Sequence, residues 1–309
     1  MPPDWAGGHT AGGFARMISA LRDAYVAIGY TRTQLQLDDA ALLVGRPETP
    51  SMELRVNLIN ISITLSRLPL DDWDEQIATF VASVDELIIG ERQTPWEEAE
   101  PRLRVRLYGA DGLSGLLTPG RRLAPELLLC PVLDFPTAAR VVVTEELERW
   151  GKSVEQLIEL GLRQTVEHEP LPEPQRMPIA PVGVVLHFVA NSIYVASHLA
   201  RLGELVGDAP YGALVAVPRR NVLILHPIRD VTAVFAVDVM TRVAAQICDA
   251  GPYSLSHALY WWRDSGLTNV SRVDRGRTRI KLPPELAAIF AALMPGRPAT
   301  APSREGPLH

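Results

Sequence analysis

The segment Pro210 to Asp230, PYGALVAVPRRNVLILHPIRD, constrains the fold more than any other part of the chain. Two apolar runs rich in Val, Leu and Ile, Ala213 to Val217 and Val222 to Leu225, flank the polar insert Pro218-Arg219-Arg220-Asn221. Runs of this length and composition on either side of a short insert read as a buried β-hairpin. Pro218 presets φ for a turn, and Asn221 tolerates positive φ at its exit. Asp230 stands where a helix cap belongs, because Val234, Val237, Val239, Val243, Ala244 and Ile247 follow it at helical spacing. The unit is strand, tight turn, strand, helix.

A length of 309 residues is enough for about two structural units, each with its own core. Charged residues at 21% and a net charge of -6 disfavour a general nucleic-acid binder or a basic membrane-surface protein. No stretch approaches the roughly 18 uninterrupted apolar residues of a membrane span. Cys130 and Cys248 lie far apart and without CxxC spacing, so neither a disulfide framework nor a zinc ribbon is indicated. They read as buried free thiols of a cytoplasmic protein.

The remaining chain divides by its punctuation. Residues 1–13 have neither a basic start nor an apolar secretory core and read as a disordered tail. Residues 14–167 read as an amino-terminal α+β unit: a helix from Phe14 to Ile28, strands at Leu35 to Val44 and Met52 to Ile63, and a helix following Asp71-Asp72. Three short strands at Leu103 to Leu107, Leu127 to Val132 and Arg140 to Val143 come next, then helices opening at Thr144 and at the capping box Ser153-Val154-Glu155-Gln156. Residues 168–181, with five prolines, read as a linker. Residues 182–293 read as a carboxy-terminal α+β unit: a strand from Val182 to Val189, a helix from Ile193 to Leu205, the hairpin and its helix, a short strand at Leu259 to Trp262, a hairpin around Asp274-Arg275-Gly276, and a closing helix. Residues 294–309, proline-rich and without apolar periodicity, read as a second disordered tail. The fold class is therefore α+β, two α-β-β-α-type units with mainly antiparallel sheets packed against helices. A duplication and two unrelated units with common local grammar both fit this order.

Several stretches in series resemble the YtpQ-like family of uncharacterised bacterial proteins. They are MELRVNLINI at Met52 to Ile61, PRLRVRL at Pro101 to Leu107, VVVTEELERWGKSVEQLIELGLRQTV at Val141 to Val166, NSIYVASHL at Asn191 to Leu199 and GALVAVPRRNVLILHPI at Gly212 to Ile228. The resemblance implies an intracellular α+β protein and no activity assignable residue by residue. The family pattern has an aspartate ahead of the tyrosine in the NSIYVAS segment and an Asn-Arg-Asp-like turn after VAVP. This chain has Asn191 and Arg219-Arg220-Asn221 there.

The candidate ligand site gathers Asn191, Tyr194 and His198 with Arg219, Arg220, Asn221, His226 and Arg229. Guanidinium forks suit carboxylate or phosphate, and a neighbouring His or Tyr assists binding or proton transfer. No serine stands in a nucleophile elbow, the histidines lack metal-ligand spacing, and no glycine-rich loop joins a strand to a helix, so no catalytic residue, metal or cofactor is assigned. The function these features favour is a non-enzymatic binding or accessory protein presenting the Arg219 to Asn221 turn to a protein or anionic ligand. Two alternatives stay open. One is a hydrolase of an anionic substrate with His226 or His198 as base. The other is single-stranded nucleic-acid binding through the basic segment Arg263 to Lys281 with Tyr260, Trp261 and Trp262.

Overall fold

The computed structural model describes residues 2–3, 6, 8–37, 41–47, 53–89, 94–109, 119–135, 139–179, 183–190, 192–249, 254–274 and 277–294. Helix α1, Ala11–Ala27, is capped by Thr10, whose Oγ1 accepts from the Gly13 N–H at 3.1 Å. Strands β1, Arg32–Gln36, β2, Ala41–Gly45, and β3, Glu53–Asn57, form an antiparallel meander, followed by helices α2, Ile59–Leu65, and α3, Trp73–Ile89. Met17, Leu21 and Tyr25 of α1 meet Leu42, Val44, Val56 and Ile77 in one core.

Three expectations for this part are revised. Leu35 to Val44 is not one strand, since β1 ends at Gln36 and β2 starts at Ala41; the expected strand Met52 to Ile63 stops at Asn57, after which INISITL is helical. A short apolar run carries no period that separates helix from strand. The described part of the amino-terminal segment is not a loose tail either. Ala6 is buried, and His9 places Nε2 2.9 Å from the Ser62 carbonyl with its ring edge-on to Trp73.

Helix α4, Trp96–Ala99, leads into β4, Leu103–Gly109, which pairs with β6, Leu127–Asp134. Strands β5, Arg121–Ala124, and β7, Ala139–Val141, also pair antiparallel with β6. Helix α5, Thr144–Trp150, stops at Gly151, whose φ of 61° is left-handed, and α6, Val154–His168, begins behind the expected capping box. Ser153 Oγ accepts from the Gln156 N–H at 3.2 Å, and Gln156 Oε1 accepts from the Ser153 N–H at 2.9 Å. Helix α6 lies tight on β4. A Cβ at Gly161 would stand 2.9 Å from the Arg104 carbonyl oxygen.

The rest is organised by the hairpin. Strands β8, Gln175–Ile179, and β9, Gly183–Val189, precede a 3-10 helix, Val195–Arg201, and α7, Leu202–Val206. Then come β10, Ala213–Arg219, β11, Val222–Pro227, α8, Thr232–Asp249, β12, Leu259–Arg263, β13, Gly266–Asn269, β14, Ser271–Asp274, β15, Arg277–Ile280, and α9, Pro284–Leu293. Six of these strands form one antiparallel sheet in the order β13-β12-β10-β11-β9-β8. The protein is α+β, with antiparallel sheets packed against helices.

Both faces of the hairpin are buried, which explains its unbroken apolar runs. Ala213, Val215, Val217, Leu223 and Leu225 point into a core shared with Val105, Leu107, Leu129 and Ile158. Leu214, Ala216, Val222 and Ile224 point the other way, onto Ala236, Val237 and Met240 of α8 and Leu286 and Phe290 of α9. Each buried Val or Leu contributes roughly 1.5–3 kcal/mol, and a one-residue slip would exchange the two cores, so the pairing of Val215 with Leu225 is strongly specified. Gly212 fixes where β10 starts. Its φ is 79°, and a Cβ there would stand 2.0 Å from the Trp262 carbonyl oxygen, so only glycine fits.

Four details correct the sequence reading here. Pro218 does not open the turn: it lies in β10 at a register shift between Ala216 and Arg219, and the turn is Arg220–Asn221. Asn221 has no positive φ; among the described non-glycine residues positive φ belongs to Asp264 and Ser265, in the two-residue turn between β12 and β13. The segment 168–181 is not wholly linker, since Gln175–Ile179 joins the sheet as its edge strand, where Pro178 is tolerated. The expected helix Ile193 to Leu205 is a 3-10 turn followed by a short α-helix. The turn residues Arg275 and Gly276 and the tail after Met294 lie outside the described residues.

Candidate functional site

The predicted site residues that the structure describes do not share one surface. Asn191 lies outside the described residues. Tyr194 is buried beside Tyr108, Cys130 and Val132, and its hydroxyl donates to Asp134 Oδ1 at 2.5 Å. Burial first, then the Asp134 hydrogen bond and charge, push its pKa far up. Arg220 reaches the same cluster, with its guanidinium carbon 4.6 Å from the Tyr108 ring centroid. Arg106 donates through Nε to the Tyr108 hydroxyl at 2.8 Å. Cys130, enclosed there, has its thiol pushed up to about 12 by burial, against the pull of Arg106 and Arg220.

The other members point elsewhere. Asn221 Nδ2 donates to the Ala190 carbonyl at 3.2 Å and so ties the turn to the end of β9. Arg219 forms an isolated bridge with Ser254. His198 is buried with Nε2 2.9 Å from the Glu169 carbonyl. His226 is buried too, with Nδ1 2.9 Å from the Val184 carbonyl and Nε2 3.5 Å from Thr232 Oγ1. Burial lowers the pKa of both imidazoles. Arg229 donates through Nε to the Asp208 carbonyl at 2.5 Å, closing the chain after α7. The residues from Tyr194 to Arg229 thus act mainly as fasteners between strands and loops. The aromatics of the nucleic-acid alternative are likewise internal, Tyr260 and Trp261 being buried and Trp262 half-buried.

A binding shape forms elsewhere, along α6. A groove of about 480 Å³ runs along α6 and is walled by Arg121 of β5, by Arg201 of the 3-10 helix and by Glu204 of α7. From α6 it takes Glu155, Ile158, Glu159, Leu162, Arg163 and Val166, which recur every three to four residues and so share one face. Ile158 is fully buried, and Leu162 and Val166 are half-buried, which gives an apolar floor. Arg201 and Glu204 form an ion pair, and Arg201 Nε is buried without a partner among the described residues. The side chains of Arg121 and Arg163, both exposed, and those of Glu155 and Glu159 hold no hydrogen bond or ion pair among the described residues. The volume is that of a small-ligand site.

The amphipathic period of α6 was readable, but its partner wall was not, because Arg121 reaches the helix only through the pairing of β5 with β6. The sequence marks the α6 stretch by its capping box at Ser153 and as part of the YtpQ-like resemblance, not as a site. Comparison with protein-family models, with curated proteins and with solved structures found no match. Among the described residues no helix is long and apolar enough to cross a membrane.

Proposed function

We propose that this protein is a cytoplasmic, non-enzymatic binding protein whose α6 groove holds a small amphipathic ligand carrying both a carboxylate and a cationic group, the chemistry of a short apolar peptide with free ends. The observation that carries this reading is the placement of Arg121 and Arg163 with Glu155 and Glu159, whose side chains have no partner among the described residues, along the Ile158, Leu162 and Val166 floor. A guanidinium fork takes a carboxylate in two parallel hydrogen bonds, a glutamate takes an ammonium, and the apolar floor takes the body between them. A purely anionic ligand would leave Glu155 and Glu159 facing its charge; a purely apolar one would leave four charges to desolvate. The Arg219–Asn221 turn, considered first for such a ligand, is occupied in tying β9, β10 and the loop at Ser254 together. That leaves the groove as the better seat.

Calorimetric titration with trileucine tests the proposal, alongside the same peptide acetylated at its amine or amidated at its carboxylate. Binding should weaken when either end is blocked, and Arg163→Ala should remove the difference between free and amidated carboxylate. Equal affinity for all three peptides, or no binding to any, would refute it.

A further inference from the structure

We propose that Cys248 is a histidine-assisted nucleophilic thiol and the site at which this protein is oxidised by peroxide. The last turn of α8 carries Cys248 and Asp249, and the chain returns after Ser254 to place His257 against both. Cys248 Sγ lies 3.5 Å from His257 Nδ1, and His257 Nε2 lies 2.7 Å from Asp249 Oδ1. A carboxylate only accepts, so Nε2 carries the imidazole proton and the Nδ1 lone pair faces the thiol. Nucleophile, base and orienting carboxylate thus stand in the order that activates a weak nucleophile. The imidazole side chain is 43% exposed and the Asp249 side chain 73%, so the proton leaving the buried sulfur passes to a group in contact with water.

The surroundings of the sulfur fit this role. Burial is the largest influence and raises the thiol above its ordinary value, as does the Asp249 charge; the Ser254 hydroxyl, the Leu255 N–H and Arg219 act in the opposite direction. The resting thiol is therefore protonated, and its reactivity depends on proton transfer to His257 rather than on a standing thiolate. Cys130 provides the contrast within the same chain. It too is buried, among Tyr108, Val132 and Tyr194, and the side chains that act on its thiol are the guanidinium groups of Arg106 and Arg220.

In the step itself the Sγ proton moves to His257 Nδ1 and the thiolate attacks one oxygen of hydrogen peroxide. The S–O bond forms as the O–O bond breaks, sulfur loses two electrons and peroxide is reduced. The departing hydroxide takes the proton from His257 and leaves as water, and Cys248 remains as a sulfenic acid.

The test uses the full chain, hydrogen peroxide and dimedone to trap sulfenic acid, with the adducts at Cys248 and Cys130 quantified by peptide mass spectrometry. Cys248 should be tagged roughly ten-fold or more faster than Cys130 in the folded protein, and His257→Gln should remove most of that advantage without changing the circular dichroism spectrum. Tagging of Cys248 no faster than Cys130, or only after denaturation, would overturn the proposal, as would an undiminished rate in folded His257→Gln. If His257→Gln does not fold, the comparison of the two cysteines in the wild-type protein decides alone.

Discussion

Replacing Thr165 by valine should destabilise the body that carries the groove far more than the loss of one exposed hydroxyl would. Thr165 is fully buried on α6, and its Oγ1 accepts from the Val105 N–H of β4 at 3.0 Å while donating to the Gly161 carbonyl at 2.7 Å. Among the described strands β4 pairs with β6 alone, and on its other side the Val105 amide has this hydroxyl as its partner. Valine keeps the shape and leaves that amide unsatisfied in a dry contact, which costs about 1–3 kcal/mol. The Gly161 carbonyl loses less, since it keeps its place in the helix. For a body of this size that is a fall in Tm of roughly 2–4 °C per kcal/mol, so several degrees in all. Chemical denaturation followed by tryptophan fluorescence measures it, with Thr165→Ser as the control. Serine keeps the hydroxyl and loses only a methyl group, about 1 kcal/mol. If valine is neutral while serine destabilises, the hydroxyl is not what holds α6 to β4.

The buried Arg140–Glu146 pair, bidentate at 2.6 and 2.7 Å, fixes the entry to α5, because Glu146 Oε2 also accepts from the Val143 N–H. Arg140→Met should cost about 3–5 kcal/mol by leaving a buried carboxylate alone, and adding Glu146→Leu should recover much of it; two additive losses in denaturation would contradict this. His187, His198 and His226 all have pKa values lowered by burial from the ordinary 6.5. The folded protein thus binds fewer protons than the unfolded chain as pH falls below about 6.5. Stability that is fully present above that value should decline on acidification toward the lowered pKa values, and His226→Asn should flatten the decline. A denaturation midpoint that rises between pH 7 and 5 would refute the sign.

What the sequence made legible follows from how strongly each signal was tied to burial. The hairpin was readable because both of its faces are covered, which demands apolar residues at every position from Ala213 to Val217 and from Val222 to Leu225. The box at Ser153 was readable because it is closed within four residues. Strand β8 was hidden by its prolines, which mark a loop unless the strand lies on an edge, and edge position is a property of the sheet. The contacts of the candidate site residues were hidden for a related reason. Arg220, Asn221 and Arg229 look like free ligand donors, yet tertiary contacts engage them with Tyr108, the Ala190 carbonyl and the Asp208 carbonyl. Conversely, Arg121 and α6, or Cys248 and His257, have no spacing that announces them, because strand pairing and a returning loop bring them together.

Amide chemical-shift mapping during titration with trileucine locates the ligand on the molecule. With the ligand seated in the α6 groove, shifts should saturate together at Glu155 to Val166, Arg121 and Arg201; shifts confined to the Arg219–Asn221 turn or to α8 would rule the groove out.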